Sequence, residues 1–263
     1  MKRERKTWQS AAARRITSLS GISGPMEKIV AVVAQRFLEG VSCPPTDLDA
    51  LMQRLNVRSA LPDDLLPFSG ELQKDGDGFR IAYAASLPLG RRRFTIAHEL
   101  GHALFESTGP NCPRSGQELE RICDMLASEF LFPREAFRAA AGHSPDVDSL
   151  LKISRRFQAS LMATALRCYK LFGVSFFQID DGKLAWGYGA IRNGNSVLNG
   201  ELRRPVIQSM AGVSGESLLY LSNGRGTEEW LVRWKSLHAK RAIFSLCPAA
   251  QVADRDPPLG YVK

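Results

Sequence analysis

Phe94-Thr95-Ile96-Ala97-His98-Glu99-Leu100-Gly101-His102-Ala103-Leu104-Phe105 is the stretch that decides the fold. It reads as an apolar helix that carries H-E-x-x-H from His98 to His102. Residues four apart on a helix lie one above the other on the same face. Two imidazoles so placed can reach one zinc ion, and Glu99 between them can take a proton from a metal-activated water.

A zinc site with catalytic power has three protein ligands and one open position, so a third ligand is expected downstream on a second helix. The segment from Glu118 to Pro133 supplies that helix, with Leu119, Ile122, Met125, Leu126 and Phe130 at helical spacing. Glu120 and Asp124 fall on one face of it. Glu120 is read as the third ligand. Asp124 is read as the acceptor for the other ring N–H of a zinc histidine, which fixes its tautomer. The plainer alternative is two solvated carboxylates on an amphipathic helix, with Glu118 and Glu129 as further ligand candidates.

Upstream, residues 69–84 read as a hairpin around Asp75-Gly76-Asp77-Gly78, which is turn chemistry. Residues 79–84 alternate as a half-buried strand. Phe79, Ile81 and Tyr83 are expected on a substrate-binding edge, since a peptide can add as a strand there. An ordinary structural strand is the alternative. Between the two helices lies Cys112, whose thiolate is a strong zinc ligand. On the fourth position it would hold the enzyme latent; otherwise it is a free thiol in a loop. Tyr83, His143 and Tyr169 are the candidates for steadying an oxyanion.

The rest of the chain organises around this centre. Residues 1–24 are polar and basic and read as a flexible arm. Helices are expected over 25–40, with Pro25 in the first turn and Gly40 at the end, and over 47–55, 134–141, 147–157 and 160–172. Residues 150–163 have a helix-turn-helix flavour, but their apolar positions favour a helical pair packed under the zinc helices. From Val174 onward the pattern turns to strands: 174–179, 183–188, 228–236 and 238–247. The expected class is α+β. A zincin-like helical metallopeptidase domain with a small sheet (25–173) precedes a smaller β-rich C-terminal domain (174–263) that senses a ligand, holds substrate or dimerises.

The 263 residues permit one large or two modest domains with an ample core, and 44% hydrophobic with 24% charged residues are ordinary globular values. No apolar run approaches the ~18–20 residues of a membrane span, and the basic N-terminus has no apolar segment behind it, so neither membrane nor secretion is expected. Five cysteines, an odd number with no C-x-x-C pair, point to reduced thiols and a cytoplasmic location. The net charge of +8 favours polyanions. Arg91, Arg92 and Arg93, just before the zinc helix, are the candidate nucleic-acid contacts; a solvated face is the alternative.

Phe94-Thr95-Ile96-Ala97-His98-Glu99-Leu100-Gly101-His102, then Glu120-x-x-Cys123-Asp124-x-x-Ala127 and Phe130-Leu131-Phe132-Pro133, resemble the ImmA/IrrE metallopeptidases over roughly residues 25–172. Cys123 stands where the family usually has alanine, and Leu126 where it has phenylalanine; both changes leave the chemistry intact. The resemblance implies a bacterial or phage-encoded Zn2+ endopeptidase. Its substrate would be a helix-turn-helix transcriptional repressor whose cleavage derepresses stress, mobile-element or phage-defence genes. In style the chain is similar to the CapP-type peptidases of phage-defence operons. Charge and family context together suggest single-stranded DNA as an activator. Two readings from other classes stay open: a DNA-binding regulator with a structural zinc, and a protein that sequesters a repressor without cutting it.

Overall fold

The computed structural model describes residues 8–107, 115–189, 202–223, 226–237 and 240–249. It divides into two compact units: residues 1–137 with 155–160, and residues 138–154 with 161–263. Among the described residues there are two sheets, of three and five strands, so the α+β class holds.

The first unit contains α1 (Ala11–Ser20), α2 (Met26–Leu38), α3 (Leu48–Arg54), β1 (Val57–Asp63), β2 (Gly70–Asp75), β3 (Gly78–Ala84), α4 (Leu89–Glu106) and α5 (Gln117–Leu131). α1 corrects the expectation of a flexible arm for residues 11–20. The Ser10 hydroxyl accepts the Ala13 N–H at the helix start, and Gly21 ends the helix at φ 69°. Ala12, Ala13, Ile16 and Ser20 form a buried stripe against α2 and α5. The surrounding arginines and serines hide that stripe in the composition. α2 begins after Pro25 and α3 after Asp47, whose carboxylate caps the N–H groups of Asp49 and Ala50.

The three-stranded sheet has the order β1-β3-β2, with β1 parallel and β2 antiparallel to β3. β3 is therefore the central strand, and the expectation that Phe79, Ile81 and Tyr83 lie on an edge is wrong. Both flanks of β3 are paired because β1 adds beside it, from a segment (Val57-Arg58-Ser59-Ala60-Leu61-Pro62-Asp63) with no clean alternation. The edges are β1 and β2. Phe79, Ile81 and Tyr83 are instead buried.

Two glycines set how closely α4 is approached. A Cβ on Gly70 of β2 would lie 2.2 Å from the Thr95 methyl and 3.6 Å from Glu99 Oε1. A Cβ on Gly101 would lie 3.1 Å from both Cα and Cβ of Cys123. β2 thus crosses one side of α4 close to Glu99, and α5 crosses the other at near-backbone contact. The short side chain at Cys123, buried here, suits that crossing.

α6 (Arg134–Ala141) and α7 (Val147–Arg156) span the division between the units, and α8 (Leu161–Phe172) belongs to the second. This unit continues with β4 (Ser175–Asp180), β5 (Lys183–Tyr188), α9 (Arg203–Met210), β6 (Gly215–Asn223), β7 (Gly226–Ser236) and β8 (Arg241–Pro248). The sheet is antiparallel with order β5-β4-β8-β7-β6. Phe177, Leu202, Val206, Leu219, Val232, Trp234 and Phe244 build its core, with Phe177 and Phe244 stacked at 4.7 Å. α8 packs on β4 and β5, so its partner is this sheet rather than the expected zinc helices. The compact boundary also falls earlier than residue 174.

Candidate active site

α4 and α5 cross so that two turns of each face one another. His98 and His102, one turn apart on α4, turn their Nε2 atoms to within 3.2 Å. Glu120, in the first turn of α5, brings its carboxylate oxygens to 3.2 Å from His98 Nε2 and 3.6 Å from His102 Nε2. One ligand atom from each of the three residues lies within 4.8 Å of the others, and among the described residues this is the group able to hold a metal ion. One turn further along α5, Asp124 Oδ1 stands 2.9 Å from His98 Nδ1. That contact calls for the Nδ1–H tautomer, which leaves the Nε2 lone pair facing His102 and Glu120.

Electrostatics follow from this crowding. Burial works against a protonated His98, but the hydrogen bond to Asp124 and the charges of Glu99, Asp124 and Glu120 outweigh it and hold its pKa above the ordinary value. For His102, burial and the neighbouring His98 prevail, and its pKa falls. Glu99 is buried, and that burial pushes its carboxyl up to about 7, with Glu120 and Glu71 adding repulsion against His98 and the Leu72 backbone. A carboxyl poised near neutrality suits proton transfer in both directions.

The residues line a cleft of about 530 Å³ whose opposite wall is Ser69 and the start of β2, through Gly70, Glu71 and Leu72. Because β2 is an edge strand, every second residue turns its backbone N–H and C=O outward. The edge that the sequence pattern assigned to residues 79–84 is thus supplied by residues 70–75. β1 hid this: a parallel neighbour drawn from the other side leaves no local signal in β3.

The other sequence candidates are dispersed. Glu118 accepts the Ser10 N–H at 3.0 Å, and buried Glu129 pairs with Arg134 at 3.0 Å. Tyr83 lies beneath the Arg92 guanidinium, 5.6 Å from its ring centroid, while exposed His143 and half-buried Tyr169 belong to the second unit. The three arginines lie within the first turns of α4 rather than before it. Arg93 donates to the Thr46 carbonyl at 2.6 Å and is half-buried; Arg91 is exposed and lines the cleft beside Phe94. Cys112 lies outside the described residues.

Two histidines on one helix, a carboxylate on the next, and an edge strand across a cleft are the parts expected of a metallopeptidase domain. Residues 66–169 match the family described as the IrrE N-terminal-like domain, Peptidase_M78. That match covers the segment whose motifs resemble the ImmA/IrrE metallopeptidases, and it supports a metallopeptidase domain there. A solved Mycobacterium tuberculosis transcriptional regulator shares the fold, with 18% identity, 95% of this chain and 84% of that one covered, and a TM-score of 0.54. No curated protein matches the sequence. Among the described residues no helix is long and apolar enough to cross a membrane.

Proposed function

We propose that this chain is a zinc-dependent endopeptidase that cleaves a helix-turn-helix transcriptional repressor. The observation that carries the reading is the convergence of His98, His102 and Glu120 beside the buried carboxyl of Glu99. Two imidazole nitrogens and one carboxylate are the donor set of open, catalytic zinc sites. His98, His102 and Glu120 would hold the ion, which supplies Lewis acidity to a carbonyl and to water. Asp124 keeps the His98 ring turned for that task. Glu99 receives a proton on its carboxylate from the attacking water and returns it to the leaving amine. The outward backbone groups of β2 hold the substrate as an added strand, and the close approach enforced by Gly70 brings that strand over Glu99.

The finer parts of the reading have their own support. The net charge of +8 and the exposed Arg91 support contact with an anionic activator such as single-stranded DNA. The sequence position of Cys112, between the helices that carry the ligands, supports a latent state with its thiolate on zinc. Residues 174–263 would sense the signal or hold the repressor, in the cytoplasm, within a stress, mobile-element or phage-defence operon. A purely structural zinc has no use for a buried general base, so Glu99 speaks against a non-catalytic regulator.

The test incubates wild type and Glu99→Gln, each zinc-loaded, with the repressor encoded beside its gene, with and without single-stranded DNA, and reads intact masses. A discrete cut by wild type alone is expected, increased by DNA and raised in its basal level by Cys112→Ser. Equal cutting by Glu99→Gln would refute the mechanism.

A further inference from the structure

We infer that β6 is the seam of a homodimer, in which two copies of this chain pair their β6 edges antiparallel about a two-fold axis at Leu219. β6 belongs to the second unit, and its pairing does not depend on the peptidase reading. β6 ends its sheet, and among the described residues no strand pairs with its outer side. Soluble proteins protect such edges with lysine or proline, with bulges or with short strands. The opposite edge does so: β5 has six residues, opens with Lys183 and sits against an irregularity in register. β6 has none of these devices. It runs nine residues, Gly215-Glu216-Ser217-Leu218-Leu219-Tyr220-Leu221-Ser222-Asn223, in unbroken register with β7.

Its surface is apolar as well as open. Leu218 and Tyr220 point to the same face and are 52% and 59% exposed. On the opposite, Leu219 face, α9 flanks the strand with Ile207, 56% exposed, and with Arg203, Arg204 and Gln208 along the same groove. Single exposed apolar residues need no explanation, but the neighbouring pair Leu218 and Tyr220 on one face of an unprotected edge marks an interaction surface.

A second copy fits this edge because the strand is self-complementary about Leu219. An antiparallel pair centred there sets Leu218 opposite the partner's Tyr220, twice, which is a favourable aliphatic–aromatic cross-strand pair. Glu216, the one charged residue in the strand, does not meet its own copy across this axis. Nine residues at about 3.3 Å span about 30 Å, and a strip roughly 15–20 Å wide buries about 500 Å² per copy. The total of about 1,000 Å² is the lower bound of a specific interface, so a reversible dimer is expected.

The experiment is sedimentation equilibrium of the full chain at tens of micromolar, with folding followed by circular dichroism. Wild type should show twice the 29.0 kDa chain mass. The L218K/Y220K variant should be monomeric, its dissociation constant raised at least about 100-fold by like charges across the seam. L218E/Y220K sets opposite charges face to face and should dimerise more tightly than L218K/Y220K. Both positions are largely solvated, so both variants should fold as wild type does. A monomeric wild type would overturn the proposal and leave the edge to another segment of the chain or to a different partner. A dimer indifferent to L218K/Y220K would overturn it too, and equal affinities of the two variants would overturn the register at Leu219.

Discussion

Glu99 is the residue on which the proposed chemistry turns, and its carboxyl sets the pH dependence. Burial raises its carboxyl from the ordinary 4.5 to about 7. A cation held by His98, His102 and Glu120 favours the carboxylate and draws that value back toward 4.5. A general base acts deprotonated, so kcat/KM should rise with pH through an ionisation between 4.5 and about 7. Stability of the metal-free protein runs the other way. A raised folded-state pKa means that the folded chain binds the proton more tightly than the unfolded one, so this contribution is present below 4.5 and lost as pH climbs to about 7. Rate profiles on a cleaved repressor, paired with denaturant titrations of the metal-free protein, check both signs. An activity that stays level across that window would remove Glu99 from the role of base.

At the scale of elements, the α4–α5 crossing is the part most exposed to a single substitution. A Cβ on Gly101 already meets the Cα of Cys123 at 3.1 Å, and backbone cannot swing aside as a side-chain tip can. Gly101→Val should therefore cost about 1–3 kcal/mol by overpacking. It should also weaken zinc binding, because the helices that separate carry His102 and Glu120. Cys123→Ala in the same background should restore little, since it removes only the sulfur. Chelator competition and thermal melts would show this; full recovery in the double variant would mean that the thiol alone, not the helix approach, sets the spacing.

How much of these elements the sequence revealed depends on where their signals lie. The ligand spacing on α4 and the carboxylate spacing on α5 are local and helical, so His98, His102, Glu120 and Asp124 could be picked out before any contact was known. The β2–β3 hairpin was legible through its glycine-rich turn. The edge was not, because the parallel pairing of β1 with β3 is a non-local fact and β1 alternates poorly. α9 and β6 escaped for related reasons. α9 is eight residues with Arg203, Arg204 and Pro205 at its start, and β6 mixes Leu218, Leu219 and Tyr220 without a clean period. α1 was masked by arginine and serine around a short apolar stripe.

On the scale of the whole molecule, the division into two compact units would make the proposed metal binding a local matter. The three candidate ligands and Trp8 lie in the first unit, whereas Trp186, Trp230 and Trp234 lie in the second. A ligand that binds only the folded state stabilises it by RT ln(1 + [L]/Kd), about 2.7 kcal/mol at a hundredfold excess over Kd. Removing zinc with a chelator should lower the stability of the first unit by that increment, and with it the melting midpoint, and leave the core around Trp234 and Phe244 in place. Circular dichroism weighted to helix reports the first event, and tryptophan fluorescence of a Trp8→Phe variant, which keeps only the tryptophans of the second unit, reports the second. Parallel shifts in both signals would show that the units melt as one cooperative body. A shift in neither would mean that His98, His102 and Glu120 do not hold the metal, and the peptidase mechanism would fall with them.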